Sequence, residues 1–600
     1  MCGISGIYNF SNTNLDSKKI INKIIKLQTS RGPDGNGIWE SSCKKITFGH
    51  NRLSIIDLSK KADQPFISND KNLIITFNGE IYNYLELKEN LQKKKVIFKS
   101  NSDTEVILES YKFWGLDFLK KLRGMYSFAI WDNKNNKLLI ARDPFGIKPL
   151  YYTIFNGVFY FASQIKSLLS IKNLKFEYCD AGIVSYYLWG NVQEPFTLYK
   201  NIKSINRGCC LIIEKNGIQK SFNYADIKDS ILNVNEVKFK NENAKLDYLK
   251  DIIYETVNYH QVSDVPRTIM LSAGIDSNLI LASISDKNKK NCSALTLDFN
   301  YKGADNEIFF AKESANLNKI KHQIINLSED EFSMLISHFF ENMDSPTNDG
   351  FNNYIISYLA KKNDTKIIIS GIGGDELLAG YPSFNIIPKI NMCMKLIPES
   401  KILKSLINNK LFLFLKKRKM KTKYSGILDY GRNISSAFLL VRSLFLPNEI
   451  NELIDHKSFK NGYEELDIEN ALNKDIDEIK DTRLSIMYLE IKYYLCSKLL
   501  RDSDWASMAN SVELRTPFVD WSFFNKLIPL IKNDKSTNKE MAVNSMNDKL
   551  PKNIINRKKT GFVIPHNLYL QRLSFDKKYA NPIRDWSILS YEKYLQKKTN

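Results

Sequence analysis

MCGISGIYNF, residues 1–10, decides how the first third of the chain is read. A cysteine follows the initiator methionine, and a residue this small normally permits removal of that methionine, leaving a cysteine with a free α-amine. An α-amino group titrates at ~7.7–8.0, so near neutral pH enough of it is uncharged to take the thiol proton, directly or through a water. Such a nucleophile carries its own base and needs no triad histidine. The segment also reads as a strand. Further strand-like runs follow it up to about residue 215: KITFGHNRLSII, NLIITFNGEIYN, MYSFAIWD, KLLIARD, PLYYTIF and VFYFAS. NKNNK at 133–137 and Asn156-Gly157 supply hairpin turns, the latter with residues that tolerate a positive φ. Helical periodicity is confined to Ser17–Gln28, Tyr84–Lys94 and Asp103–Phe113. Antiparallel strands with helices outside predict an α+β sandwich over residues 1–215.

Beyond that point the style of the sequence changes. NYADIKDSILNVNEVKFKNENAK, within residues 215–245, is polar and rich in Asn and Lys, and reads as a linker. From Leu246 long helical stretches alternate with short buried strands, RTIMLSA, CSALTLDF and TKIIISG, which predicts an α/β domain with a parallel sheet over residues 245–600. Six hundred residues accommodate two such domains.

Composition excludes several classes of function. No run approaches the ~18 apolar residues of a membrane span, and the N-terminus lacks the pattern of a secretory signal. The eight cysteines are scattered, with no C-x-x-C pair and no histidine cluster for zinc, so a reducing cytoplasm is expected. Lysine and arginine exceed the acids by 86 − 66 = 20, but the lysines are spread along the chain and do not alternate with aromatics. A solvated basic surface is expected, with no nucleic-acid partner. Segment 399–424 carries LFLFL between lysine clusters and reads as a core-packing helix with a basic face, a membrane-surface helix being the alternative.

The strings CGISGI, RGPDGNG, GHNRLSIID, FNGEIYN, SDTE, LRGMYSFAIWD and ARDPFGIKPLYY occur in this order. Together they resemble the glutaminase domain of class II amidotransferases, an N-terminal-nucleophile fold. The resemblance implies that Cys2 attacks the side-chain amide of glutamine and that Arg52 clamps the substrate carboxylate. It implies further that Asn78 and Gly79 form the oxyanion hole and that Glu80 and Asp103 hold the substrate ammonium. Two positions depart from the pattern, Ser30 before RGPD and Gln164 after FAS, and neither supplies the nucleophile or the clamp.

In the second domain RTIMLSAGIDSNLI reads as a strand, a loop of small residues and a helix start, an arrangement that turns backbone N–H groups toward phosphate oxygens. No Gly-Lys dipeptide is available for a P-loop. The loop resembles the SGGxDS motif of ATP pyrophosphatases, with Ala273 where a glycine is usual. About a hundred residues on, TKIIISGIGGDELLAGY ends a second strand in glycines and acids. With Met343–Pro346, RDSDWASMANSVELRTPFVD and NRKKTGFVIP, these strings resemble the synthetase domain of glutamine-hydrolysing asparagine synthetases of the B type, from about Asp251 to Pro565. The resemblance implies ATP bound by Leu271, Ser272, Gly274, Asp276, Ser277, Leu297, Ser370 and Gly371. It also implies Mg²⁺ held by Asp276 and Asp375, and Lys559 steadying the charge on the adenylated intermediate and pyrophosphate. Glutamine, ATP and aspartate are the expected small-molecule partners, with a homodimer as the candidate assembly. Ile372 stands where aspartate-using relatives often carry an acid. The acceptor is therefore expected to be aspartate, with the carboxylate of a uronic acid as the alternative.

Overall fold

Strands in the first domain are buried on both faces because two sheets stack against each other while helices cover their outer sides. The structure, a computed structural model, describes all residues except 12, 173, 236, 299–304, 399–409, 411, 412, 414–416, 418–421, 535, 556–569, 571, 572, 574, 577, 580 and 600. The strands are β1 (Gly3–Asn9), β2 (Gly35–Glu40), β3 (Ile46–Arg52), β4 (Phe66–Ile67), β5 (Leu73–Ile81) and β6 (Gly124–Asp132). They continue with β7 (Lys137–Arg142), β8 (Tyr151–Phe155), β9 (Val158–Ala162), β10 (Lys203–Ser204), β11 (Cys209–Glu214) and β12 (Gly217–Asn223). One sheet has the order β10-β8-β9-β1-β3-β2 and the other β12-β11-β7-β6-β5-β4, with antiparallel pairing throughout. Alternate residues fill the space between them: Ile4, Phe48 and Phe161 from the first sheet meet Ile74, Trp131 and Ile140 from the second. Asn156 and Gly157, both at positive φ, turn the β8–β9 hairpin. The segment read as a linker is ordered over part of its length. β12 pairs with β11 across residues 217–223, and helix Ile227–Leu232 follows. Its alternation of polar outward residues with Ile218 and Phe222 is that of an edge strand, which composition alone mistook for loop.

Five parallel strands build the second sheet domain: β13 (Arg267–Met270), β14 (Cys292–Asp298), β15 (Lys321–Asn326), β16 (Ile367–Ile369) and β17 (Glu513–Arg515), in the order β15-β14-β13-β16-β17. The chain adds β14 and β15 on one side of β13, then returns to its other side with β16. Such a reversal opens a crevice at the carboxyl ends of β13 and β16. Helices Ile275–Ala282 and Gly374–Leu377 start there. A long helical stretch precedes β17, running as an α-helix over Thr482–Leu489, a π-helix over Glu490–Leu500 and an α-helix again over Arg501–Ala509. The two domains share one apolar core and are also joined by buried ions, including Arg123 to Asp520 at 2.9 Å.

Lys559 and most of segment 399–424 lie outside the described residues. Among the described residues no helix is long and apolar enough to cross a membrane.

Candidate active sites

β1 begins by presenting Cys2 to the end of β5, where Asn78, Gly79 and Glu80 stand. Arg52 closes β3, and Asp103 opens helix Asp103–Trp114, whose Ser102 cap accepts from the Thr104 N–H. One cleft brings Cys2, Arg52, Gly79, Glu80 and Asp103 together. Asn78 adjoins it, since its Oδ1 accepts the Cys2 N–H at 2.9 Å. The Nδ2 of Asn78 is buried and has no hydrogen-bond partner among the described residues. A buried amide donor left in this way costs ~1–3 kcal/mol unless a ligand accepts from it. Gly79 is at φ +154, and a Cβ there would lie 2.1 Å from the Met125 carbonyl oxygen, so only glycine lets β5 pass so close to β6. Arg52 is steadied by the loop after it, donating to Asp63 at 2.7 Å and to the carbonyls of Ser59 and Asp57.

Burial dominates the titration of this cleft. It pushes the Cys2 thiol up, against the N-terminal charge and a backbone N–H at Leu53. Asp103 is raised to about 6 by burial, opposed by the N–H donors of Ile81 and Thr104. Glu80 is raised by burial and then by the nearby Glu513 carboxylate, against the pull of Arg515.

Sequence reasoning missed the residues that tie this cleft to the second domain. While Met1 is retained its ammonium pairs with Glu513 at 2.8 Å, both groups fully buried, and Arg515 links Glu513 at 2.6 Å to Glu80 at 3.5 Å. The Nε of Arg31 donates to the Cys2 carbonyl at 3.0 Å while its Nη1 pairs with Asp504 at 2.8 Å. Burial pushes the Glu513 carboxyl up, but the ammonium and Arg515 outweigh it and hold it at about 2. Arg31, Glu513 and Arg515 all lie in quoted motifs, so the signal was present without a role attached.

At the second site, the loop after β13 folds on itself. Ser272 Oγ accepts the Gly274 N–H at 3.1 Å, and Asn278 donates to the carbonyls of Ser272 and Gly274. Ala273 is not at positive φ, so alanine is accommodated there without strain. Leu271, Ser272 and Leu297 line an apolar slot with Met270, Ile325 and Leu359. From β16 come Ser370 and Gly371, then Gly373 at φ +97. A Cβ on Gly371 would meet Asp276 Cβ at 2.7 Å, and one on Gly374 would meet Asp276 Oδ1 at 2.3 Å. The glycines thus let the two loops close until Asp276 and Asp375 both reach Lys539, whose Nζ is 2.5 Å from Asp276. Burial lowers the Lys539 pKa, but the two carboxylates outweigh it and keep the ammonium charged. Two carboxylates converging on one cation make a donor set that also suits Mg²⁺, a hard ion that prefers oxygen ligands. Lys539 is a further residue missed in sequence.

Comparisons with known proteins divide the chain in the same way. A model described as a glutamine amidotransferase domain matches residues 1–225, and one described as asparagine synthase matches residues 248–587. A glutamine-hydrolysing asparagine synthetase 1 of Bacillus subtilis (strain 168) is 31% identical, with 95% of this chain and 88% of that protein covered. An amidase, chry2, of Gibberella zeae is 28% identical over 64% of this chain and 60% of its own. Among solved structures, the glutamine phosphoribosylpyrophosphate amidotransferase of B. subtilis with ADP and GMP is similar at 16% identity and a TM-score of 0.30, covering 54% of this chain and 81% of that one.

Proposed function

The chain belongs to the asparagine synthase family, and from that membership we propose that it converts aspartate to asparagine with ammonia from glutamine, cleaving ATP to AMP and pyrophosphate. It is a glutamine-hydrolysing ligase, with an N-terminal-nucleophile-type amidotransferase domain ahead of the synthetase domain. The observation that carries the reading is the presence, in one chain, of a cleft with an orphaned Asn78 amide beside Cys2 and of an Asp276/Asp375 pair at a sheet crevice.

In this mechanism, loss of Met1 frees the Cys2 amine, which takes the thiol proton. Sγ attacks the glutamine amide carbon, and the oxyanion that forms accepts from Asn78 Nδ2 and the Gly79 N–H. Arg52 holds the substrate carboxylate, while Asp103 and Glu80 hold its ammonium. The Cys2 amine returns that proton to the amide nitrogen, ammonia leaves as the thioester forms, and hydrolysis of that thioester releases glutamate.

At the second site Leu271 and Leu297 face the adenine. The N–H groups from Ser272 to Ser277, with Ser370 and Gly371, hold the phosphates. Asp276 and Asp375 would hold Mg²⁺, which would neutralise charge on the phosphates. An acceptor carboxylate oxygen attacks the α-phosphorus and pyrophosphate departs. Ammonia then attacks the acyl carbon and AMP leaves. Lys559 keeps the expected role of steadying the charge on the pyrophosphate side, and Lys539, which pairs with both carboxylates, is proposed to share it. The acyl-adenylate is water-sensitive, so ammonia is best delivered inside the protein. The Cys2 carbonyl already contacts Arg31, which pairs across the domain boundary with Asp504.

A second reading, a saccharide acid as acceptor, is favoured by one residue. Ile372 sits partly buried against the core in the loop between Gly371 and Gly373 and offers no charge to an acceptor. The test is pyrophosphate release from Mg-ATP and glutamine, comparing aspartate with uronic acids and nucleotide-linked uronates. One asparagine formed per pyrophosphate supports aspartate. Silence with aspartate and a signal from a sugar acid replaces the substrate and keeps the chemistry.

A further inference from the structure

Where the two domains meet there is a further cavity, which shares no lining residue with the Cys2 cleft. It holds about 280 Å³ and is walled by Glu194, Arg207, Asn223 and Asp226 on one side and by Tyr488 and Lys492 on the other. That volume is at the small end of the range for ligand pockets, ~300–1,000 Å³, and suits a metabolite smaller than a nucleotide. Arg207 stands between β10 and β11. Gly208 follows it at φ +60, and the Gly208 N–H donates to the Asp143 carbonyl at 2.8 Å. A Cβ on Gly208 would lie 2.1 Å from the Ala225 carbonyl oxygen, so the turn that carries Arg207 requires glycine. Tyr488 lies on helix Thr482–Leu489, and Lys492 follows it on the π-helix.

Two cations and two anions line this cavity, and one of each sign is already matched. Lys492 pairs with Asp475 at 2.5 Å. Asp226 caps helix Ile227–Leu232, its Oδ1 accepting the N–H groups of Lys228 and Asp229 at 2.8 and 3.1 Å. Arg207 differs. Its Nη1 donates to the Lys492 carbonyl in a long bond of 3.5 Å, and it forms no ion pair among the described residues. The neighbouring Cys496 does not compensate it, because burial pushes that thiol up to about 12 against the pull of Arg207 and leaves it neutral. Glu194 gives its Oε1 to Arg142 at 2.6 Å and to Ser204 at 3.4 Å, while its Oε2 takes no hydrogen bond among the described residues. The Tyr488 hydroxyl makes none among them either. The cavity thus presents a guanidinium and a carboxylate oxygen that line the same space without pairing with each other. A polyanion would meet no net positive charge here, since the lining charges balance. A zwitterion meets both signs.

We infer that this cavity binds a free α-amino acid, at a site separate from those for glutamine and the acceptor. The planar fork of Arg207 takes the α-carboxylate through paired N–H donors. Glu194 Oε2 accepts from the α-ammonium, since an ionised carboxylate has acceptor capacity beyond the bonds its Oε1 makes. The Tyr488 hydroxyl donates to the carboxylate from the other wall. The ligand therefore touches both domains, and a ligand bound only by the docked arrangement stabilises it.

The test uses the full chain. The common amino acids are screened by thermal unfolding of wild type, Arg207→Met and Tyr488→Phe, and the best is titrated by calorimetry. A shift shared equally by all three proteins belongs to the substrate sites. The expected result is an amino acid that raises Tm in wild type and binds at least tenfold more weakly to Arg207→Met, through loss of charged hydrogen bonds. Tyr488→Phe, which loses one hydroxyl, should bind it about fivefold more weakly. Its N-acetyl and carboxamide derivatives, lacking the ammonium and the carboxylate respectively, should give no shift that depends on Arg207 or Tyr488. Glutaminase turnover in both variants should stay within about threefold of wild type, and if Arg207→Met does not fold, Tyr488→Phe decides. Three results overturn the inference: no amino acid whose binding depends on these residues, an N-acetyl derivative that binds there as tightly as its parent, or a carboxamide that does so. None of them bears on glutamine hydrolysis or amidation.

Discussion

Asn78→Ala tests the first site most directly, because the two ends of that side chain do separable things. Its Oδ1 accepts from the Cys2 nitrogen at 2.9 Å, while its Nδ2 is buried with no partner among the described residues. Removing an oxyanion donor of this kind costs ~2.7–4 kcal/mol in the transition state, a factor of about 10²–10³ in kcat. The hydrogen bond to the Cys2 nitrogen adds ~1 kcal/mol of positioning, which both Asn78→Ala and Asn78→Asp bear on differently. Alanine loses acceptor and donor, whereas aspartate keeps an acceptor and replaces the donor with a negative charge where the oxyanion forms. Glutamate formation should therefore fall by about 10²–10³ in Asn78→Ala and at least as far in Asn78→Asp, with KM for glutamine little changed. Synthesis from added ammonium should be untouched in both. A kcat within threefold of wild type in Asn78→Ala would remove Asn78 from the oxyanion hole, and loss of the ammonium-dependent reaction would point to misfolding.

Further outcomes are expected at four residues. Cys2→Ala should abolish glutamine use and spare synthesis from ammonium, whereas loss of both together would refute two separate sites. Lys539→Met should lower ATP cleavage by roughly a hundredfold without touching glutaminase turnover, since it removes the cation that Asp276 and Asp375 share. Asp103 is raised to about 6 by burial, so kcat/KM for glutamine should fall as pH drops through about 6, and Asp103→Asn should flatten that limb. The stability contribution of Asp103 runs the opposite way. The folded state binds this proton more tightly than the unfolded chain does, so stability is lost as pH rises from the usual carboxyl range through about 6. Asp504→Ala should destabilise the enzyme by about 3–5 kcal/mol in urea unfolding, because it leaves Arg31 buried without its carboxylate.

Legibility from sequence followed how local each feature is. Cys2, the Asn78–Glu80 run and Asp103 sit in compact strings on strand and helix ends, so pattern and chemistry could be read at once. The parallel sheet was legible from its short apolar strands, and the crevice followed once β16 returned beside β13. Lys539 was not legible. It stands in the polar stretch NDKSTNKEM, one lysine among many, and only the fold brings it to Asp276 from 263 positions away. The π-helix Glu490–Leu500 was hidden for a different reason, since helical periodicity does not announce a change from α to π winding. β12 was missed because an edge strand with one wet face has the composition of a loop.

The contacts between the two sites have a physical consequence for how they work together. Cys2 is held from one side by Asn78, within its own domain, and from the other by Arg31, whose second partner is Asp504 on the helix leading to β17. The start of β17 supplies Glu513, and its end supplies Arg515, which reaches back to Glu80 in the cleft that holds Cys2. Any movement of the helix Arg501–Ala509 relative to β1 must therefore either carry the Cys2 carbonyl with it or break a buried ion pair. That helix continues directly from the π-helix Glu490–Leu500. The π-helix packs on the helix that carries Asp375, so the crevice has a short covalent and ionic route to Cys2. Reciprocity of binding energies then requires glutamine to tighten acceptor binding by the same factor that the acceptor tightens glutamine. Weakening the route at Asp504 should reduce both factors equally, whereas a change in only one would show that the two sites are not coupled through this helix.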